Sequence, residues 1–138
     1  MVSPHSLELL HDLPALRGLS PAQRRWLEPL FVERHLEQGE VLYREGDPSE
    51  AVYVLATGSI DFLVGERPLA RLGPRELFGE QSVLSNAPRG ATALAARDAT
   101  VLVLPAAAFH RLMTDRPDLY GRLLGIISDR ATGIAKSE

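Results

Sequence analysis

The sequence predicts a mainly β protein with flanking helices: an antiparallel β jelly-roll barrel between an N-terminal helical segment and two C-terminal helices. Three observations lead there. The first thirty or so residues are leucine-rich and punctuated by proline. From about Phe31 the chain breaks into short apolar runs between glycine and proline turns. After Pro105 the apolar residues return at helical spacing. The regular alternation of strands with long helices that marks a βαβ fold is missing. The 138 residues are read as a single domain, with helices over about 6–30, a β-barrel over 31–104 and helices over 105–138.

In the first segment Leu7, Leu9, Leu10 and Leu13 cluster before Pro14. Ser20-Pro21 is a helix start, with the serine as N-cap and the proline at the first helical position. Leu16, Leu19, Trp26, Leu27 and Leu30 supply the buried face. Turn signals follow at Gln38-Gly39, Glu45 to Pro48, Thr57-Gly58-Ser59, Gly65 to Pro68 and Leu72-Gly73-Pro74. Between them lie strand runs at Val41–Tyr43, Ala51–Ala56, Ile60–Val64 and Leu69–Leu72, with Ala91–Ala96 and Thr100–Leu104 later. A jelly roll is the natural closure because it leaves few exposed edges. Phe109, Leu112 and Met113 fit a short helix that ends at Asp115-Arg116-Pro117. Tyr120, Leu123, Ile127, Ala131 and Ile134 then draw one apolar stripe along a second helix, suited to the core or to a dimer seam. Gly121, Gly125 and Gly133 interrupt that helix, each at roughly 1 kcal/mol relative to alanine. Two readings stand: close packing along a Gly-x-x-x-Gly edge, or a helix near its folding threshold that orders when ligand binds.

Composition removes several function classes. There are no cysteines, so no disulfide scaffold, thiolate zinc site or cysteine nucleophile exists. A net charge of −3 argues against direct contact with nucleic acid. No apolar run approaches the roughly 18 residues of a membrane span, and Met1 to Leu10 lack the basic start of a signal peptide. A cytoplasmic location is expected. His5, His11, His35 and His110 are scattered, with no ligand pairing in sequence, so no metal is expected. No G-x-S-x-G, P-loop or H-E-x-x-H motif is present, and the chain is expected not to be an enzyme.

The most informative run is Phe78 to Thr92, FGEQSVLSNAPRGAT. It holds one carboxylate, Glu80, and one guanidinium, Arg89, among small residues, with room between them for a single helical turn. A carboxylate only accepts hydrogen bonds, which suits a sugar hydroxyl. A guanidinium makes paired charge-assisted bonds to a phosphate. A ligand with a ribose hydroxyl close to a phosphate satisfies both. The short helix offers unpaired N–H groups at its start, and Gly90 and Ala91 let backbone come close to an anion.

The run resembles the phosphate-binding cassette of the cyclic nucleotide-binding domain family, whose pattern is close to F-G-E, a short helix, then P-R-x-A-T. That family includes sensor domains of the cAMP receptor protein and protein kinase A regulatory subunit type. The likeness extends to Glu40–Asp47, to Gly58, to Leu13–Ser20, and to Phe109-x-x-Leu112 with Pro117, which look like the junction of the family's B and C helices. It covers about Leu13 to Ile134. The resemblance implies that Glu80 holds a ribose 2′-hydroxyl and Arg89 the phosphate. Amides matching those of Ser82 and of Gly90 or Ala91 assist, and Gly79 lets the chain pass close to the ribose. The implied ligand-binding set is Gly79, Glu80, Gln81, Ser82, Arg89, Gly90, Ala91 and Thr92. Gln81 departs from the family, which usually has an apolar residue there. Gly90 stands where guanine-selective members often have threonine, which leans toward cAMP over cGMP. The polar purine contacts of dimeric members would fall near Ile134 and Ala135, leaving Arg130, Thr132 and Ile134 as candidate purine contacts.

The implied function is a regulatory sensor that binds a cyclic nucleotide, does no chemistry and relays occupancy through its terminal helices. The alternative is a degenerate barrel serving as a dimerisation or docking module without ligand. Expected partners are the nucleotide and either a second copy through the C-terminal helix or a fused or separate effector. Related bacterial regulators carry a helix-turn-helix after that helix; none fits before Glu138, so the chain is expected to be either a free-standing sensor or a fragment of a larger transcription factor, channel or transporter.

Overall fold

A computed structural model describes residues 2–129. The N-terminal segment is helical as expected. Helix α1 (Pro4–Asp12) begins at Ser3, whose side chain accepts the Ser6 amide. Helix α2 (Pro21–Leu27) begins at Ser20 with a reciprocal capping box: Ser20 Oγ accepts the Gln23 amide at 3.1 Å and Gln23 Oε1 accepts the Ser20 amide at 2.9 Å. Single 3₁₀ turns at Pro14–Leu16 and Glu28–Leu30 follow each helix.

Eight strands come next: β1 (Val32–Leu36), β2 (Val41–Tyr43), β3 (Ala51–Thr57), β4 (Ile60–Val64), β5 (Arg67–Leu72), β6 (Leu77–Phe78), β7 (Thr92–Ala95) and β8 (Ala99–Pro105). Helix α3 (Glu80–Leu84) lies between β6 and β7. Helices α4 (Ala106–Asp115) and α5 (Pro117–Asp129) follow β8. All pairings are antiparallel, in two four-stranded sheets ordered β1-β8-β3-β6 and β2-β7-β4-β5. The expected barrel needs correction on one point: hydrogen bonds do not close the two sheets into a cylinder. The edge strands β6 and β2 have only two and three residues, and β6 runs straight into α3. The sheets are joined instead by side chains.

Those side chains form two cores on opposite faces of the first sheet. Val52, Val54 and Ala56 of β3 face the helices, with Leu10, Leu16, Leu27, Phe109 and Leu123. Ala51, Tyr53 and Leu55 face the second sheet, with Ile60, Phe62, Leu72, Phe78 and Ala93. A strand covered on both sides reads as a continuous apolar run, and β3 does.

The C-terminal helices pack on the first core. Met113 is exposed on α4. On α5 the buried positions are Leu119, Leu123 and Ile126, while Tyr120 lies at the edge against Phe109. Of the expected stripe, Leu123 is buried and Tyr120 packs against the core, while the side chain of Ile127 lies outside the described residues. Gly125 belongs to that packing: a Cβ there would stand 3.0 Å from Ala15 Cβ, whereas Gly121 faces open space. Arg122 Nη1 reinforces the contact by donating to the carbonyls of Ala15 (3.2 Å) and Arg17 (2.8 Å). Arg130, Ala131, Thr132, Gly133, Ile134 and Ala135 lie outside the described residues. No helix among the described residues is long and apolar enough to cross a membrane.

Two stability predictions follow from this framework. Gly58 has φ +88°, and a Cβ there would meet Asp98 O at 2.4 Å and Ala99 Cα at 2.7 Å. Both neighbours are backbone and cannot yield. Gly58→Ala is expected to lose at least about 2 kcal/mol in urea denaturation, more than Gly65→Ala, which faces open space. The second concerns Glu33, whose Oε1 accepts the Ser3 amide at 2.9 Å. That bond holds the carboxyl below its ordinary value of 4.5, opposed by burial. Because the folded value is the lower one, the stabilisation is complete above the ordinary value and fades as pH falls through the folded one. The stability gap between the parent and Glu33→Gln is therefore expected to be widest near neutral pH and to close on acidification, read from denaturation curves along a pH series.

Candidate functional site

The cassette is anchored where β6 pairs with β3, Phe78 opposite Tyr53 and Leu77 opposite Val54. Gly79 then turns the chain at φ +82° and starts α3. Two constraints demand glycine there: the left-handed φ, and the Arg89 Nη1, which a Cβ would meet at 2.7 Å. On α3, Glu80 is 1% exposed and Ser82 is buried, while Gln81 and Leu84 face solvent. An exposed Gln81 accounts for a polar residue where the family has an apolar one. The helix closes with Ser85 donating from both N and Oγ to the Gln81 carbonyl, and the Ala87 amide donating to the Ser82 carbonyl.

The second arm is stitched to the β2–β3 turn. The Gly46 amide donates to the Arg89 carbonyl and the Arg89 amide to the Asp47 carbonyl, both at 2.8 Å. Ser49 Oγ donates to the Ala87 carbonyl at 2.5 Å. Thr92 Oγ1 accepts the Glu45 amide at 3.0 Å, so this hydroxyl locks the turn. The Glu45-Gly46-Asp47 signal in the sequence thus marks the segment that holds the cassette's arginine in place.

The Arg89 side chain points inward and is 3% exposed. Nη1 donates to the Gly79 carbonyl (2.8 Å) and to Ser82 Oγ (2.9 Å). Nη2 donates to the Ala51 carbonyl at the start of β3, at 2.5 Å. Nε is buried without a hydrogen-bond partner. These three hydrogen bonds all go to neutral oxygens. The guanidinium lies over the Tyr43 ring, 4.1 Å from its centroid, with Tyr53 at 5.7 Å. Burial raises the Tyr53 hydroxyl above its ordinary value, and the Arg89 charge opposes that rise. A cavity of about 210 Å³ reaches the guanidinium between Arg34, Tyr43, Asp47, Glu50 and Tyr53. Larger hollows at the N-terminal helices and at the β1–β8 end touch no cassette residue.

Of the residues singled out in the sequence, Gly79, Ser82 and Arg89 are joined directly by hydrogen bonds. Glu80 is buried beside them, and Ala91 is buried on the way to β7. Gly90 is exposed, and Thr92 makes the turn contact just described. Tyr43, Tyr53 and the Ala51 carbonyl were not anticipated. The signal for Tyr43 was weak, since one aromatic residue ending a short apolar run reads as core. The histidines serve local pairs: His11 bonds Glu28, and His35 meets Thr100 and Glu33. No group of three metal-binding side chains occurs among the described residues.

The cyclic nucleotide-binding domain profile matches residues 33–116, and the chain belongs to that family. It is similar to the cyclic AMP receptor protein of Thermus thermophilus, 34% identical over 122 residues, covering 85% of this chain and 56% of that protein. It is also similar to the cAMP-dependent protein kinase regulatory subunit of Hypocrea atroviridis, 32% identical over 104 residues, covering 75% of this chain and 22% of that one. The chain therefore spans just over half of one relative and about a fifth of the other. Among solved structures, a cyclic nucleotide-binding domain from Methylobacillus flagellatus superposes with a TM-score of 0.72 at 23% identity, covering 91% of this chain and 76% of that one, a likeness of fold.

The double demand on Gly79 is testable. Gly79→Ala is expected to lose about 1–3 kcal/mol from its positive φ. It should lose less in an Arg89→Ala background, where the Cβ no longer meets the guanidinium. Equal losses in both backgrounds, measured by urea denaturation, would show that Arg89 plays no part in the requirement.

Proposed function

We propose that this protein is a cytoplasmic cyclic nucleotide sensor that binds cAMP in preference to cGMP and performs no chemistry. One observation carries the reading: a buried guanidinium whose hydrogen bonds go to neutral oxygens, with its Nε donor left without one. A cation kept in that condition is matched to an anion that arrives from outside. A cyclic phosphodiester supplies a single negative charge, and burying it without a partner would cost several kcal/mol. Arg89 meets that charge, and the amides of Ser82 and of Gly90 or Ala91 complete its coordination. Glu80 accepts from the ribose 2′-hydroxyl. The names of both relatives refer to cAMP, and Gly90 offers no hydroxyl to the guanine amino group, so both support cAMP.

Occupancy is relayed through the helices, read by a fused effector, a separate partner or a second copy. The Arg89 contact at Ala51 lies one residue from the Glu50 carbonyl, which accepts the Ala106 amide at the start of α4 at 2.9 Å. Engagement of Arg89 by an anion competes with the Ala51 carbonyl and so bears on the root of that helix. A ligand shifts the helices only by as much as it binds their two arrangements differently.

Calorimetric titration with cAMP and cGMP tests the reading. cAMP is expected to bind more tightly, and Arg89→Ala to weaken binding by roughly 3 kcal/mol or more, as for loss of one partner of a buried charge pair. No heat and no thermal shift at millimolar nucleotide would reject it in favour of a docking module without ligand.

A further inference from the structure

We infer that Tyr43 is a positioning residue for Arg89, using the face of its ring to hold the guanidinium without consuming the charge or the donors an anionic ligand needs. This rests on the nucleotide reading above.

An arginine cannot shed its proton to relieve burial. Something must therefore compensate the charge before any ligand arrives. The usual partner, a carboxylate, would do so at the expense of the site: it would cancel the positive potential and occupy the in-plane N–H pairs that bind phosphate. The structure uses neutral groups instead. The Gly79 and Ala51 carbonyls and Ser82 Oγ take three in-plane bonds. They fix the rotation of the guanidinium within its plane and do little against displacement out of it.

Tyr43 adds a restraint of another kind, through its ring face. Its ring centroid is 4.1 Å from Arg89 Cζ and the residue is 8% exposed. That is well inside the roughly 6 Å reach of a cation–π contact and in the desolvated setting where the contact is strongest. Because the attraction acts through the ring face, the in-plane Nε–H stays available. The ring is itself held: Tyr43 packs on Tyr53 (5.8 Å between centroids), Tyr53 stacks on Phe78 (5.3 Å, 20°), and Phe78 meets Phe62 edge-on (5.6 Å, 75°). Phe78 directly precedes Gly79 and Glu80. The aromatic row therefore places the phosphate-binding end of the cassette in register with its ribose-binding end. Tyr43 lies opposite Ala93, whose small side chain leaves the ring its space between the sheets. A leucine at position 43 would fill apolar volume there and provide no negative ring face.

The test pairs affinity with a spectroscopic signature. Tyr43→Phe, Tyr43→Leu and Tyr43→Met are compared with the parent by calorimetry with cAMP, with thermal melts to confirm folding. In parallel, the Arg89 Nε–Hε resonance is followed in ligand-free ¹⁵N-labelled protein. Tyr43→Phe is expected to stay within about threefold of the parent affinity, and Tyr43→Leu and Tyr43→Met to lose about tenfold. The Hε resonance should be displaced by ring current in the parent and in Tyr43→Phe, and return toward the free-arginine position in the aliphatic variants. A folded aliphatic variant that binds within twofold of the parent overturns the proposal, as does an Hε resonance that does not respond to the ring. If the parent binds no nucleotide yet the ring-dependent displacement is present, the nucleotide reading falls while the tyrosine's hold on Arg89 stands.

Discussion

A positive charge buried between two sheets is the constraint around which the rest of this molecule is arranged. Leaving water costs a guanidinium several kcal/mol unless its environment is polar and preorganised. At Arg89 that environment is assembled from segments far apart in sequence: the carbonyl at the start of β3, the turn and short helix after β6, and the ring at the end of β2. None could make the contact alone. The cassette arm that carries Arg89 is fixed by backbone bonds to Gly46 and Asp47, so the side chain enters the core at a set angle. A fold that failed to bring these segments together would strand the charge.

That requirement explains why the first sheet is buried on both faces. Its inner face must hold the arginine and the aromatic row. Its outer face must carry the helices. The two cores meet at β3, where alternate residues serve opposite sides. The same strand begins at Ala51, and the adjoining Glu50 carbonyl accepts the first amide of α4. The Arg89 contact and the root of α4 therefore share a piece of backbone.

How much of this was legible in the sequence depended on whether a residue's role is local. The helix start at Ser20 was readable because a serine N-cap and a proline at the first helical position act locally, whereas the Gln23 side chain that completes the capping box was not singled out. The cassette was readable because its small residues, acid and arginine keep a fixed spacing. Strand β1 was not, because Val32-Glu33-Arg34-His35-Leu36 is polar in the middle and sits at a sheet edge, where one side is wet and no apolar run is needed. On α5, Leu123 was legible from its spacing but Leu119 and Ile126 were not, because several sets of positions satisfy helical spacing equally well. Only the neighbouring 3₁₀ turn, through Ala15 against Gly125, decides between them. Tyr43 was invisible for the same reason in sharper form: its significance lies in a residue 46 positions away, brought over it by the sheet register.

The neutral character of the cradle is the point at which stability and function diverge. A carboxylate in the place of the hydrogen-bonded oxygens would compensate the cation more strongly than carbonyls and a ring face do. It would also leave nothing for a phosphate to gain on arrival, since the incoming anion would have to displace a like charge. Carbonyls, a hydroxyl and a π-face hold the guanidinium at lower depth, so the free energy still to be gained by pairing it remains with the ligand. Ser82 shows the compromise in one atom: its oxygen accepts from Nη1, which leaves its own proton free to be given. The unpartnered Nε is the visible remainder of that compromise. A site that is incompletely satisfied when empty is one whose filling can do work elsewhere in the fold, and the backbone shared by Ala51 and Glu50 is where that work would be delivered.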